Sequence, residues 1–109
     1  MSTDTDRIRA LNDQLRRNLP SGKAFMTPGI AALGAEAVQR LLRAIATFDD
    51  FCLANDPHGE HDFEAFDFEG AEIFFKVDYY DVNFEFGSPN PADPAVTEPI
   101  ITVMLASEH

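Results

Sequence analysis

The sequence predicts an α+β fold, with two helices packed on one face of a mostly antiparallel sheet of about four to five strands, in a single domain of residues 1–109. Three observations predict it. Apolar residues recur at three- and four-residue steps in residues 4–18 and again in 35–48, the period of an amphipathic helix. They alternate in residues 71–80, the period of a strand with one buried face. Residues 100–106 are apolar throughout and β-branched early, as a strand covered on both faces would be.

In the first helix Ile8, Leu11, Leu15 and Leu19 form one narrow stripe. Thr3, Asp4 or Thr5 suits its cap, Asp6 its positive end, and Arg16 and Arg17 its negative end. Pro20-Ser21-Gly22 stops it. A short strand at 23–27 and a Pro28-Gly29 turn follow. Gly34 then precedes the clearest helix, 35–48, where Val38, Leu41, Leu42, Ile45 and Phe48 share a face wide enough to cover a sheet.

Residues 49–59 read as a loop broken at Asn55-Asp56-Pro57 and Gly59. Strands are expected at 60–68, 71–80 and 82–86, then an irregular stretch at 87–99 with four prolines, then the last strand. A three-residue turn Phe68-Glu69-Gly70 would pair Ala65 with Ile73, Phe63 with Phe75 and His61 with Val77 on the inner face. It would place Asp62 opposite Lys76 and Glu60 opposite Asp78 on the outer one. A one-residue slip would turn these faces over.

An apolar fraction of 45% is ordinary for a globular chain, and ten Phe with no Trp promise a Phe-rich core. Cys52 is the single cysteine, so no internal disulfide forms; it reads as a small apolar filler rather than a nucleophile. The polar start carries no apolar signal segment, and no apolar run approaches membrane length. These features suit the cytoplasm.

Charge is the least ordinary property. From Asp49 onward the chain holds fifteen acidic side chains and one base, Lys76, whereas the first 48 residues hold four acids and seven bases. That balance argues against direct contact with nucleic acid or anionic lipid, both of which need positive charge. It argues for something positive on the acidic part: a metal ion or a basic protein surface.

The segment Asn55-Asp56-Pro57-His58-Gly59-Glu60-His61-Asp62-Phe63, with Thr27-Pro28-Gly29-Ile30, Phe48-Asp49-Asp50-Phe51, Lys76-Val77-Asp78-Tyr79-Tyr80-Asp81 and Met104-Leu105-Ala106-Ser107-Glu108, resembles a family of small acidic bacterial proteins known only as domain of unknown function number 3768. Ile8-Arg9-Ala10-Leu11-Asn12-Asp13 and Phe86-Gly87-Ser88 fit the same pattern, so the resemblance covers nearly the whole chain. It implies a compact cytoplasmic bacterial protein, often carried with plasmids and other mobile elements. It brings no established activity, so no catalytic residue is carried over.

Two groups of residues bear chemistry. His58, Glu60, His61 and Asp62 are the ligand types of a zinc, manganese or iron site. In an extended strand Glu60 and Asp62 share a side while His61 faces away, so a local site needs His58 to fold back at Gly59. The plainer reading makes Asp56-Pro57-His58-Gly59 a turn with Asp56 bonding backbone amides. The second group is an acidic sheet face: Glu60, Asp62 and Glu64, then Asp78, Asp81 and Glu85, flanked by Tyr79, Tyr80 and Phe74. Paired carboxylates such as Glu60 and Asp78 can split their pKa values for acid–base work, but no positioned nucleophile accompanies them.

The leading expectation is therefore a non-enzymatic binding protein whose acidic face docks on a basic, nucleic-acid-binding surface of a partner, in its sharpest form a mobile-element inhibitor of host defence. The runner-up is a small metal-binding protein or metal-dependent hydrolase using a divalent ion at the His58–Asp62 segment. A third is a homodimer in which the basic first helix of one copy covers the acidic sheet of another.

Overall fold

A computed structural model describes residues 3–19, 24–52 and 54–109. The expected stop at Pro20-Ser21-Gly22 and the strand start at Lys23 lie outside the described residues. The elements run α1 (Asp4–Arg17), β1 (Ala24–Met26), α2 (Pro28–Ala31), α3 (Ala35–Ala46), β2 (Phe63–Phe68), β3 (Ala71–Tyr80) and β4 (Glu98–Leu105), closed by a 3₁₀ turn (Ala106–Glu108). The α+β class holds. The sheet has four strands in the order β1-β4-β3-β2, and it is mixed: β1 runs parallel to β4, and the other two pairs are antiparallel.

The helices form where their caps and stripes dictate. Thr3 accepts from the Asp6 amide while the Asp6 carboxylate accepts from the Thr3 amide, a reciprocal cap that satisfies two orphan donors of α1. Pro28-Gly29, expected as a turn, instead opens the short helix α2, because proline is preset for a first helical turn. A side-chain carbon at Gly29 would lie 2.6 Å from the Glu108 carboxylate, which accepts from the Gly29 amide and the Thr27 hydroxyl.

All three described α-helices bury their stripes on one sheet face. Leu15 and Leu19, Ile30, and Val38, Leu41 and Ile45 meet Ile73, Phe75, Val77, Ile101 and Val103 there. A buried arginine locks the layers. Arg16 donates to the carbonyls of Ile45 and Phe48, each at 2.8 Å, and to Asp13 at 2.7 Å. It thereby satisfies carbonyls left over at the end of α3.

Two expectations are corrected. The β2–β3 connection is a two-residue turn, with Glu69 at φ 49° and Gly70 at φ 87°, the left-handed pair that such tight hairpins require. Arg40 of α3 holds that turn by two bonds to the Glu69 carboxylate, at 2.9 and 3.3 Å. The shorter loop shifts the pairing by one residue, so Phe66 faces Ile73 and Glu64 faces Phe75. Every β2 side chain therefore lies on the face opposite to that expected. The second correction concerns residues 82–86, expected as a strand. The Asp81 carboxylate accepts from the amides of Asn83 and Glu85, and Phe84 takes φ 57°. This local bonding turns the chain, and the loop closes by Asp81 N–H to the Phe86 carbonyl.

Candidate functional site

The sheet face opposite the helices carries the features of a contact surface. By register it presents Glu72, Phe74, Lys76, Asp78 and Tyr80 from β3, and Phe63, Ala65 and Asp67 from β2. Phe63 and Phe74 meet edge-on at 5.4 Å, and the His109 ring packs on Phe74 at 5.3 Å. Tyr80 continues into the loop tip, its ring 6.1 Å from that of Phe84. Phe25, Phe63, Tyr80, Phe84 and Phe86 are all exposed, the last at 72%. Of these, Phe63 joins Phe74 and Tyr80 joins Phe84, two aromatic pairs along the same hairpin, and exposed apolar groups gathered in this way mark contact sites.

Carboxylates frame these rings. Asp67 lies directly opposite Glu72, and neither has a hydrogen bond or ion pair among the described residues. Two like charges facing each other across a ladder oppose pairing, so the sheet itself gains nothing from them. Lys76, the lone base of the acidic part, is tied to Asp78 at 3.5 Å. The sequence set Phe74 beside the acidic face but missed Phe63 and Asp67, because a three-residue turn points both inward; reading Glu69-Gly70 as a two-residue turn brings them out.

The expected acidic face is thus partly redistributed. Asp78 and Tyr80 lie on the outer face, and Glu85 is exposed on the loop beside it. Asp81 is occupied in capping that loop. Asp62 and Glu64 turn toward the helix side, where the Asp62 carbonyl accepts from Val77 N–H and Glu64 is only 4% exposed. Several other acids are also used internally: Asp6 by Arg9, Asp13 by Arg16 and His61, Glu69 by Arg40, and Glu108 by three partners. The acidic excess available to a partner is smaller than the composition suggests, and it sits at different residues.

The His58–Asp62 corner takes the plainer of the two readings, a turn closed by Gly59 N–H to the Asp56 carbonyl. His61 takes φ 56°, its amide donates to the Asp56 carboxylate, and its Nδ1 lies 2.7 Å from Asp13 Oδ1. The ring stacks on Phe51 at 3.7 Å and 6°. His61 therefore clasps the 49–62 segment to α1, while His58 is exposed. Among the described residues, no group of three or more His, Cys, Asp or Glu is placed to share a metal ion. Cys52, expected as a filler, is exposed.

Crowding shows in the ionisation of the neighbouring acids. Burial, then repulsion from Asp62 and Asp56, pushes the Glu60 carboxyl up. Burial, with Asp56 and Asp78, does the same to Asp62. Glu64 is raised by burial, with Asp56 and Asp50 adding repulsion, and its Oε2 has no partner among the described residues. The folded protein holds these protons more tightly than the unfolded chain, so each group costs stability above its raised pKa and the cost is relieved as pH falls through it. Glu64→Gln is expected to stabilise the fold by about 1 kcal/mol at pH 7, the scale of a relieved buried polar mismatch. Urea unfolding at pH 7 and pH 4 checks this; the advantage should vanish at pH 4, where the wild-type side chain is itself neutral.

Among the described residues no helix is long and apolar enough to cross a membrane. Comparison with curated proteins and with solved structures gave no match. A family model does match, over residues 26–108, which leaves the resemblance at residues 8–13 outside the matched span. Because that model spans most of the chain, including β1's last residue and every element after it, the chain belongs to the family described as Protein of unknown function (DUF3768).

Proposed function

We propose that the chain is a non-enzymatic binding protein whose helix-free sheet face docks on a basic surface of a partner, one that the partner otherwise uses to hold nucleic acid. One observation carries the reading: Asp67 and Glu72 oppose each other without a partner among the described residues, on a face that carries exposed aromatic rings. A like-charge pair that weakens its own ladder is stabilised by a cation from outside. The rings beside it offer flat faces to guanidinium groups, each such contact contributing about 0.5–1 kcal/mol at exposed sites. Carboxylates about 5 Å apart across the ladder and about 6.8 Å along a strand give a charge density that competes with a phosphate backbone only when both strands contribute. Here β2 contributes Asp67 and β3 contributes Glu72 and Asp78, with Lys76 tied to Asp78, so the unspent negative charge is concentrated at the Asp67–Glu72 pair. In the mobile-element setting that the resemblance implies, the partner would be a host nuclease.

The test is capture of DNA-binding proteins on the immobilised chain at low salt, followed by elution with duplex DNA. A partner released by DNA and by moderate salt, with binding weakening steadily as salt rises, supports the reading. Binding that is indifferent to both DNA and salt contradicts it.

A further inference from the structure

On the other side of the sheet, α1 and the proline-rich segment before β4 border a half-open cavity of about 260 Å³. Its walls are Leu11 and Leu15 of α1, Pro91, Pro94 and Pro99, and the ring of Tyr79. An apolar cavity of about 150 Å³ suffices for benzene, so this one has room for a single ring with a small substituent.

The cavity is not wholly apolar. Asn12 lines it and is 1% exposed. Its Nδ2 donates to the Glu60 carbonyl at 2.9 Å and to the Tyr79 hydroxyl oxygen at 2.8 Å. Those two bonds use the amide's donors and fix its orientation, leaving Asn12 Oδ1 without a donor among the described residues. The Tyr79 hydroxyl, having accepted from Asn12, still holds a proton with no acceptor among them. One unspent acceptor and one unspent donor thus sit side by side in an apolar chamber. Burial, and then the carboxylates of Asp62, Glu60 and Asp56, hold the Tyr79 hydroxyl above the usual phenol range, so it stays a donor at any physiological pH. The same carboxylates repel an anionic ligand.

We propose that this cavity binds a small neutral ring compound bearing one hydroxyl group, such as a phenol or a benzyl alcohol. The ring fills the space between Leu11, Leu15 and the three prolines. The hydroxyl accepts from Tyr79 and donates to Asn12 Oδ1, completing both. The reading is independent of the outer sheet face, which lies across the sheet.

Two-dimensional NMR titration of the whole chain tests it with p-cresol, toluene and p-toluate. Saturable one-to-one shifts centred on Leu11, Asn12 and Tyr79 are expected for p-cresol. Toluene should bind roughly five- to tenfold more weakly, the effect of losing one or two hydrogen bonds. p-Toluate should not bind. Tyr79→Phe removes one of the two proposed bonds and should reduce the preference for cresol over toluene to about two- to threefold, a readout that a merely structural role would not move. Leu11→Trp, which fills the chamber, should abolish uptake; if that variant fails to fold, the Tyr79→Phe comparison decides. Absence of saturable cresol shifts, shifts centred elsewhere, or an unchanged cresol preference in Tyr79→Phe would overturn the proposal. So would tighter binding of a tyrosine-containing peptide amide, which would assign the chamber to a partner's side chain.

Discussion

Arg16→Met is expected to destabilise the fold by about 3–5 kcal/mol, the scale for removing one partner from a buried, hydrogen-bonded charge cluster. The side chain is almost fully buried and does three things at once. It closes the end of α3 by donating to Ile45 and Phe48, it neutralises Asp13, and its guanidinium lies 5.0 Å from the Phe51 ring. Methionine fills much the same volume but leaves the Phe48 carbonyl without this donor and leaves Asp13 with His61 and the Ile45 carbonyl with Phe48 N–H as their remaining partners. Arg16→Lys should recover only a minor part, because one ammonium cannot reach acceptors arranged around a planar fork. Urea unfolding at pH 7 gives both numbers, and a loss below about 1 kcal/mol for Arg16→Met would refute the assigned role.

Asp67→Lys is expected to move stability and binding in opposite directions. Placed opposite Glu72, the new lysine turns a repulsive cross-strand pair into an attractive one, a gain of about 0.2–1 kcal/mol. On the proposed interface it sets like charge against a basic partner, which costs several kcal/mol, or on the order of 100-fold in affinity. Glu36→Lys on the exposed side of α3 adds the same charge away from the face and should leave binding within about twofold, since it touches only long-range attraction. A solvated, solubilising surface would show no such contrast between positions 67 and 36.

The parts of the fold legible in the sequence were those set by local periodicity. The stripe of α3 and the alternation of β3 emerge close to where they were expected, because each is long enough for its period to outvote its neighbours. The first helix was also legible, since Thr3, Asp6 and the closing arginines mark its ends. What escaped depended on one or two residues or on distant contacts. A single residue in the turn at Glu69-Gly70 decided which side chains of β2 face the core, and composition says nothing about that choice. The strand expected at residues 82–86 was overridden by one carboxylate, that of Asp81. Glu98-Pro99 joined β4 although proline argued for irregular chain. The parallel strand β1 pairs only with residues 101–103, so Pro99 lies beyond its reach. Arg16 read as a helix-end charge, and only packing against α3 revealed it as a buried tie.

The candidate site shows the same division. The sequence indicated an acidic, tyrosine-flanked sheet face, and Asp78 and Tyr80 stand on the exposed side with aromatic neighbours. It assigned Glu64 to that face, whereas the register buries Glu64 and brings out Asp67 instead. It offered His58–Asp62 as a metal corner, and the backbone at His61 turns that ring toward Asp13 and Phe51.

Site-specific photo-crosslinking inside the cells that express the chain tests the central claim most directly. A photoreactive residue at position 65 or 80 reports the outer sheet face, and one at position 39 reports the helix layer. The account predicts one partner crosslinked from 65 and 80 and not from 39, a partner that binds DNA when purified and loses it when this chain is added. Crosslinks from position 39 alone, or a face partner that still holds DNA with the chain bound, would contradict it.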